Sequence, residues 1–191
     1  MANEFYALLG RMRYITRWGL MRNTFSENIQ EHSHQVAVLA HALALIRLEI
    51  LGLEGPAPDK CAVAALYHDA TEILTGDMPT PIKYYNPTIK DAYKQVERIA
   101  GERLLELVPE KLRDCYAGLV LEEDKEITAI VKAADKLSAY IKCVEEQKAG
   151  NTEFDSAETA TMAAMKAMDC PELAWFIDNC LEPFRLNLDQ L

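Results

Sequence analysis

The chain has 191 residues and a net charge of −10 at pH 7. This length suits a single domain, spanning residues 1–191, whose core buries about two thirds or more of the unfolded surface. The acidic charge argues against a nucleic-acid polymer as partner, because proteins that bind polyanions usually present a basic face. A small anionic substrate would need local positive charge from a divalent ion and one or two arginines.

The cysteines and the hydropathy pattern predict a cytoplasmic protein without a membrane partner. Five cysteines are present, an odd number, and no two are spaced as C-x-x-C, a pattern that favours reduced thiols. The most apolar stretch, residues 36–46, is too short to span a bilayer. Residues 1–20 contain no apolar run of signal-peptide length.

Apolar residues recur at spacings of three and four along most of the chain, which predicts an all-α protein. Asn28 followed by Glu31 is a variant of the capping box at a helix start. Residues 75–86 contain prolines and a glycine, so we predict a loop there that closes over the ligand. The predicted helices span 3–13, 28–51, 59–74, 87–107, 109–120, 124–149, 153–167 and 171–183.

The pair His68-Asp69, with Glu72 close behind it, is the first candidate site. On a continuous helix His68 and Glu72 share a face, and Asp69 lies about 100° to one side. His32 and Asp135 are distant in sequence and join this pair only if three helices pack together, as metal sites in helical bundles require. The alternative is an ordinary solvated or satisfied His-Asp pair.

Asp135 lies among apolar neighbours, where a lone carboxylate is costly to bury. An ion pair with Lys132 or Lys136 would explain it, and so would a metal shared with the two histidines. Two imidazoles and two carboxylates suit Mn²⁺, Co²⁺, Fe²⁺ or Zn²⁺ better than Ca²⁺, and Mg²⁺ less clearly. Four such ligands leave open positions on the ion, which is typical of a catalytic site.

Five separated segments resemble the HD-domain 5'-deoxynucleotidases of the bacterial YfbR-like family, in order and at similar spacing. The resemblance extends from about Phe5 to about Leu188. It is densest at residues 17–23 (RWGLMRN), 27–33 (ENIQEHS), 67–72 (YHDATE), 75–84 (TGDMPTPIKY) and 134–140 (ADKLSAY). The resemblance implies an HD-domain helical bundle that is a metal-dependent phosphohydrolase acting on deoxyribonucleoside 5'-monophosphates, and a homodimer.

The resemblance also implies roles for individual residues. The metal ligands would be His32, His68, Asp69 and Asp135, and three of them, His32, Asp69 and Asp135, would also face the substrate. Glu72 would position and deprotonate the attacking water, and Arg17 would bind the phosphate, as guanidinium groups do. The sugar pocket would be lined by Trp18, Asp77, Met78, Pro79 and Thr80.

Simpler interpretations stay open for several of these residues. Trp18 could be a core residue, Asp77 a loop cap and Arg22 a member of a surface ion pair rather than a phosphate ligand. His34 and His41 share a face that His32 does not, so we expect them at an interface or in hydrogen bonds.

Two alternative functions are considered. One is an HD phosphohydrolase acting on a nucleoside triphosphate or a cyclic dinucleotide. Few basic residues stand near the motifs in sequence, which disfavours the triphosphate. The other is a non-catalytic nucleotide-binding regulatory protein, but this would be expected to lack Glu72 or a ligand, and all are present.

Overall fold

The computed structural model describes residues 3–83, 85–121 and 124–191. Within these ranges the fold is all-α, as predicted, and the one β-type contact is a bridge between Thr16 and Asn28. The α-helices of the described ranges are α1 (Phe5–Leu9), α2 (Ile29–Leu45), α3 (Pro58–Tyr67), α4 (Glu72–Thr75), α5 (Thr80–Lys83), α6 (Pro87–Glu106), α7 (Arg113–Val120), α8 (Lys125–Lys148), α9 (Asp155–Lys166) and α10 (Pro171–Cys180). No helix in this part of the chain is both long and apolar enough to cross a membrane.

Helices α2, α3 and α8 pack together at the centre of the molecule, with α9 and α10 against them. Their shared core contains Val36, Leu43, Leu137 and Ile141, all fully buried. A smaller cluster around Phe5 joins α1 to α6 and α7. Because α2, α3 and α8 carry or lead directly into the candidate ligands, the core itself fixes their relative positions.

The start of α2 follows the predicted capping box. The Asn28 side chain accepts hydrogen bonds from the backbone N–H groups of Gln30 and Glu31, each at 3.0 Å. The Glu31 carboxylate in turn accepts from the N–H of Asn28 at 3.4 Å. This cap starts the helix at Ile29, so His32 lies at the end of its first turn.

The prediction of one helix over residues 59–74 is wrong, because α3 ends at Tyr67 and α4 begins at Glu72. The carbonyl of Ala65 accepts from both the backbone and the imidazole of His68, at 3.4 and 2.6 Å. From there the backbone bonds run from residue i to i−3, including Glu72 N–H to the Asp69 carbonyl at 3.0 Å. Residues three apart align in such turns. The continuous helical geometry that would place Glu72 on the face of His68 is therefore interrupted between the two residues.

The remaining differences concern where helices end. Helix α1 stops at Leu9 and is followed by a 3₁₀ turn at Met12–Tyr14, and α2 continues into a π turn at Ile46–Ile50. The segment predicted as a loop contains the short helix α5. Gly76 ends α4 at φ +73°, a left-handed conformation that glycine adopts without strain, and it directs the chain into Asp77.

Candidate active site

The four predicted metal ligands converge at the ends and middle of the core helices. His32 comes from α2, His68 and Asp69 from the turn after α3, and Asp135 from the middle of α8. The His32 Nε2 atom lies 3.1 Å from an Asp135 carboxylate oxygen and 3.6 Å from one of Asp69, and His68 Nε2 lies 3.2 Å from Asp69. One ligand atom each from His32, His68 and Asp135 fits within 4.8 Å. The group is therefore compact enough to surround a single ion.

The two imidazole Nε2 atoms are buried, and although each lies 3.1–3.2 Å from a carboxylate oxygen, neither makes a well-aligned hydrogen bond to a described residue. Buried polar atoms normally have partners, so two such atoms facing the same point fit a site for a bound cation. His68 donates from Nδ1 to the carbonyl of Ala65 at 2.6 Å, so the lone pair is on Nε2 whenever the ring is neutral. A fixed donor at one ring nitrogen and a free lone pair at the other is the arrangement of a metal-ligating histidine.

His32 has two competing partners at its other nitrogen. Its Nδ1 lies 3.1 Å from the Ser138 hydroxyl and 2.6 Å from the Arg17 guanidinium. The Ser138 hydroxyl donates to Gln35 at 2.6 Å and can accept from Nδ1–H, whereas Arg17 can only donate. A metal at Nε2 requires the tautomer that Ser138 supports. Ser138, which the sequence did not single out, supports the ligating form of His32, whereas the shorter contact from Arg17 supports the other tautomer.

The charges within the cluster perturb one another strongly. Burial would lower the pKa of His68, but Asp69 beside it raises the value to about 9. Burial would raise the pKa of Asp69, but His68 lowers it to about 2. The pKa of Asp135 is held well below its usual range, against the effect of burial, by His32 and Arg17. Both carboxylates are thus ionised at neutral pH, the state that a metal ligand needs.

The prediction that Asp135 is buried among apolar residues is only partly correct, since its side chain is 31% exposed. Its described ionic partners are His32 and, at 3.9 Å, Arg17. Neither Lys132 nor Lys136 forms an ion pair with it within the described chain, so the simpler explanation of this carboxylate is not realised.

Glu72 is 7% exposed, and its Oε2 atom has no hydrogen-bond partner among the described residues. Burial raises the pKa of Glu72 well above its usual value, and the nearby carboxylates of Asp69 and Asp77 raise it further. A carboxyl group in this environment binds a proton tightly. In the metal-free protein Glu72 is therefore protonated near neutral pH, and a cation held beside it would favour the ionised form.

Arg17 and Trp18 share one acceptor, the carboxylate of Glu27. The Glu27 Oε2 atom accepts from Arg17 Nη1 at 2.8 Å and from the Trp18 indole at 3.0 Å. Trp18 is half-buried against Phe154, with ring centroids 5.3 Å apart, and has φ +61°. A positive φ is rare for a bulky residue, and such strain persists where surrounding contacts hold it. Glu27 belongs to the ENIQEHS motif at residues 27–33, but the sequence alone does not indicate that its carboxylate binds Arg17 and Trp18.

Of the predicted sugar-pocket residues, Asp77 is the one with a clear electrostatic link to the cluster. Burial raises the pKa of Asp77, while Arg17 lowers it and Asp69 raises it. Met78 and Pro79 are half-buried in the same loop. The side chain of Thr80 lies outside the described part of the structure.

The other candidates lie away from the cluster. Arg22 is 85% exposed at its side chain and lies 3.9 Å from Glu153, as expected of a surface ion pair. His34 and His41 are exposed on the outer side of α2.

A cleft of about 960 Å³ opens onto His68, Asp69 and Asp135 between α6 and α8. Its lining includes six cations, Lys83, Lys90, Lys94, Arg98, Lys132 and Lys136. The sequence-based argument that few basic residues stand near the motifs is therefore wrong in three dimensions. The cations come from α5, α6 and α8, and only folding brings them close to the candidate metal ligands, which we call the metal cluster.

Comparison with known proteins gives a consistent assignment. The family described as 5'-deoxynucleotidase YfbR-like matches residues 4–184. Proteins named 5'-deoxynucleotidase YfbR from Shigella boydii and Escherichia coli K12 are each 46% identical over 191 residues, covering 99% of this chain and 96% of the relative.

Two solved structures show the same fold at low identity. An HD-domain phosphohydrolase from Listeria innocua has a TM-score of 0.81 at 20% identity, covering 95% of this chain and 88% of its own. The cyanophage S-2L HD phosphohydrolase DatZ, bound to dA and one catalytic Zn²⁺ ion, has a TM-score of 0.66 at 21% identity, covering 92% and 95%. Since the family match spans nearly the whole chain and relatives are 46% identical along it, this protein belongs to the YfbR-like 5'-deoxynucleotidase family.

Proposed function

We propose that this protein, acting as one HD-type domain, hydrolyses deoxyribonucleoside 5'-monophosphates to deoxynucleosides and phosphate. The observation that carries the proposal is the convergence of two buried Nε2 atoms, from His32 and His68, on two ionised carboxylates with which they make no well-aligned hydrogen bond. The family named for this activity has relatives 46% identical along the chain, which gives the substrate class.

His32, His68, Asp69 and Asp135 would hold a divalent ion. When bound, such an ion supplies positive charge that polarises the phosphate and makes water a better nucleophile. The mixed nitrogen and oxygen donors favour Co²⁺, Mn²⁺, Fe²⁺ or Zn²⁺ over Mg²⁺. The Zn²⁺ of the DatZ neighbour supports a transition metal here.

Glu72 acts as the general base. Its carboxylate takes a proton from the attacking water as the water oxygen bonds to phosphorus, and the bond from phosphorus to O5' breaks. In an in-line displacement O5' departs on the side of phosphorus away from the attacking water, so O5' takes its proton from solvent and Glu72 later releases its own proton to solvent. A cation held by the neighbouring ligands would offset the charges of Asp69 and Asp77 and lower the pKa of Glu72, which leaves its carboxylate ionised for the first step.

Arg17 binds the phosphate and stabilises the charge that develops there. Glu27 holds its guanidinium 2.8 Å away and so orients it toward the cluster. Trp18, oriented by the same carboxylate, and Asp77 border the sugar and exclude a 2'-hydroxyl. The substitution Trp18→Ala should raise activity on AMP relative to dAMP, and an unchanged ratio would refute this role.

The test of the function is phosphate release from dAMP, dCMP, dGMP, dTMP and dUMP beside AMP and CMP. Metal-stripped protein would receive Co²⁺, Mn²⁺, Mg²⁺ or Zn²⁺ in turn, with Glu72→Ala as the inactive control. We expect metal-dependent release from the deoxy set that the substitution abolishes. Absence of release with every metal would reject the nucleotidase function, and dATP in the same series tests the triphosphate alternative.

We also infer a cytoplasmic homodimer. The described cysteines are all unpaired, which suits a reducing compartment. The outer side of α2 exposes His34 and His41 together with Val38 and Leu45, 57% and 38% exposed, a surface that a second copy could cover. Light scattering in solution would measure the mass directly.

A further inference from the structure

Cations line the cleft beside the metal cluster on two facing helices. Lys90, Lys94 and Arg98 are spaced by four residues on α6, so they share one face of that helix. Lys132 and Lys136 are likewise spaced by four on α8, and both stripes line the same cavity. We call this arrangement the cationic cleft.

The cationic cleft is opposite in charge to the rest of the protein. Six of the chain's 20 lysines and arginines line it, but only four of its 30 aspartates and glutamates among the described lining residues. Two of the four are the proposed metal ligands Asp69 and Asp135, and a bound cation would offset their charge. The other two, Glu97 and Glu102, form ion pairs with Lys83 and Arg98 at 2.6 and 3.0 Å.

Three of the cations have no acidic partner of this kind. Lys94, Lys132 and Lys136 form no ion pair within the described part of the chain, and Lys94 and Lys132 are exposed. Flexible exposed lysines do not make a rigid binding site. Their combined field within a concave cleft nonetheless attracts anions, since low-dielectric walls concentrate it.

We propose that the cationic cleft guides the phosphate-bearing end of dianionic ligands to the metal cluster, against the repulsion of a protein with net charge −10. The proposal rests on the proposed function for the identity of the natural ligand, a nucleoside monophosphate. The attraction itself requires only a compact dianion. It explains how an acidic protein can take an acidic substrate at an adequate rate.

The test reverses one charge on each wall, as Lys94→Glu combined with Lys132→Glu. The matched control is Lys111→Glu with Lys125→Glu, two exposed lysines that line no part of the cleft. Both double variants change the net charge equally, so they differ in the position of the charge alone. Circular dichroism melting curves would establish that both are folded.

The first readout is kcat/KM for dAMP from about 20 to 300 mM NaCl, a range over which the screening length falls severalfold. For the wild type we expect kcat/KM to fall as salt rises. For the cleft variant we expect a loss on the order of tenfold at low salt, mainly through KM, and a flatter salt dependence. For the control we expect a change of less than about twofold and an unaltered slope. Equal responses of the two variants, or none in either, would overturn the proposal.

The second readout requires no turnover. Sulfate, a compact dianion, is titrated into each metal-loaded protein at constant ionic strength, and its affinity is measured from the rise in melting temperature. We expect weaker sulfate binding in the cleft variant alone. If the wild type fails to hydrolyse dAMP but this pattern holds, the nucleotidase function falls and the cleft's role stands. If hydrolysis is found and the variants bind sulfate alike, the function stands and the cleft's role falls.

Discussion

Replacing Glu146 by glutamine should destabilise the protein strongly, because this carboxylate anchors the loop that carries Arg17 and Trp18. Glu146 is fully buried on α8 and pairs with the equally buried Lys142. Its second oxygen accepts from the backbone N–H and the hydroxyl of Thr24, at 2.9 and 2.6 Å, and from Asn151 at 2.8 Å. Glutamine has the same shape, but its amide N–H₂ must face either these donors or the Lys142 ammonium, and Lys142 loses its carboxylate partner in both cases.

The expected loss of stability follows from two independent estimates. Burial would raise the pKa of Glu146, but the hydrogen bonds from Lys142, Thr24 and Asn151 outweigh it and lower the value to about 2 from an ordinary 4.5. At 1.36 kcal/mol per unit of pKa, this difference corresponds to about 3 kcal/mol of stability. Breaking a buried ion pair typically costs about 3–5 kcal/mol, which agrees.

The sign of the pH dependence is set by the lowered pKa. Glu146 contributes its full stabilisation above the unfolded-state value of 4.5 and loses it as the pH falls toward about 2. The difference in free energy of unfolding between wild type and Glu146→Gln should therefore be constant near neutral pH. It should shrink progressively below pH 4.5.

Urea unfolding followed by circular dichroism would measure the effect, with Glu145→Gln as the matched control. Glu145 is the adjacent residue on the same helix and is exposed, so we expect a change within about 0.5 kcal/mol. For Glu146→Gln the melting temperature should fall by about 6–12 °C, given about 2–4 °C per kcal/mol in a chain of this size. A loss below about 1 kcal/mol, or one that does not depend on pH, would refute this account of the buried pair.

Two further predictions concern residues that orient others. Glu27→Gln removes the charged acceptor shared by Arg17 and Trp18. We expect KM for dAMP to rise and the preference for dAMP over AMP to weaken, with partial recovery in Glu27→Asp. A change in kcat alone would contradict this positioning role. Ser138→Ala removes the group that supports the metal-ligating tautomer of His32; we expect metal affinity to fall about 10- to 100-fold, measured by competition with a chelator, with little change in melting temperature for the metal-free protein. Unchanged affinity would mean that Ser138 does not set the tautomer.

The sequence predicted the parts of the site that depend on helical periodicity and on the quoted motifs. The all-α fold, the capping box at Asn28 and the convergence of His32, His68 and Asp135 agree with the structure. The prediction of one continuous helix over residues 59–74 was wrong because the helix ends before His68, whose imidazole competes for the Ala65 carbonyl. Such competition between side chain and backbone leaves no trace in hydrophobic spacing.

The features that sequence reasoning missed all depend on contacts between distant segments. The cationic cleft joins α5, α6 and α8, whose lysines are unremarkable in sequence. Ser138 on α8 contacts His32 on α2, which lies 106 residues earlier in the chain. Long-range pairs of this kind follow from packing, and a single sequence contains no pattern that encodes them.

The two halves of the site are held by different forces. The metal cluster is attached to α2, α3 and α8, whose apolar faces form the main core. The segment from Thr16 to Asn28, which carries Arg17 and Trp18, contains no regular helix. It is held by the Glu27 carboxylate, by the β-bridge between Thr16 and Asn28 and by the buried Lys142–Glu146 pair. Because Trp18 adopts a left-handed backbone that an L-residue occupies only at a cost of about 1–2 kcal/mol, these polar contacts must outweigh its strain. Loss of the buried pair should therefore disturb phosphate and sugar binding while the ligands of the metal, set by the core, remain in place.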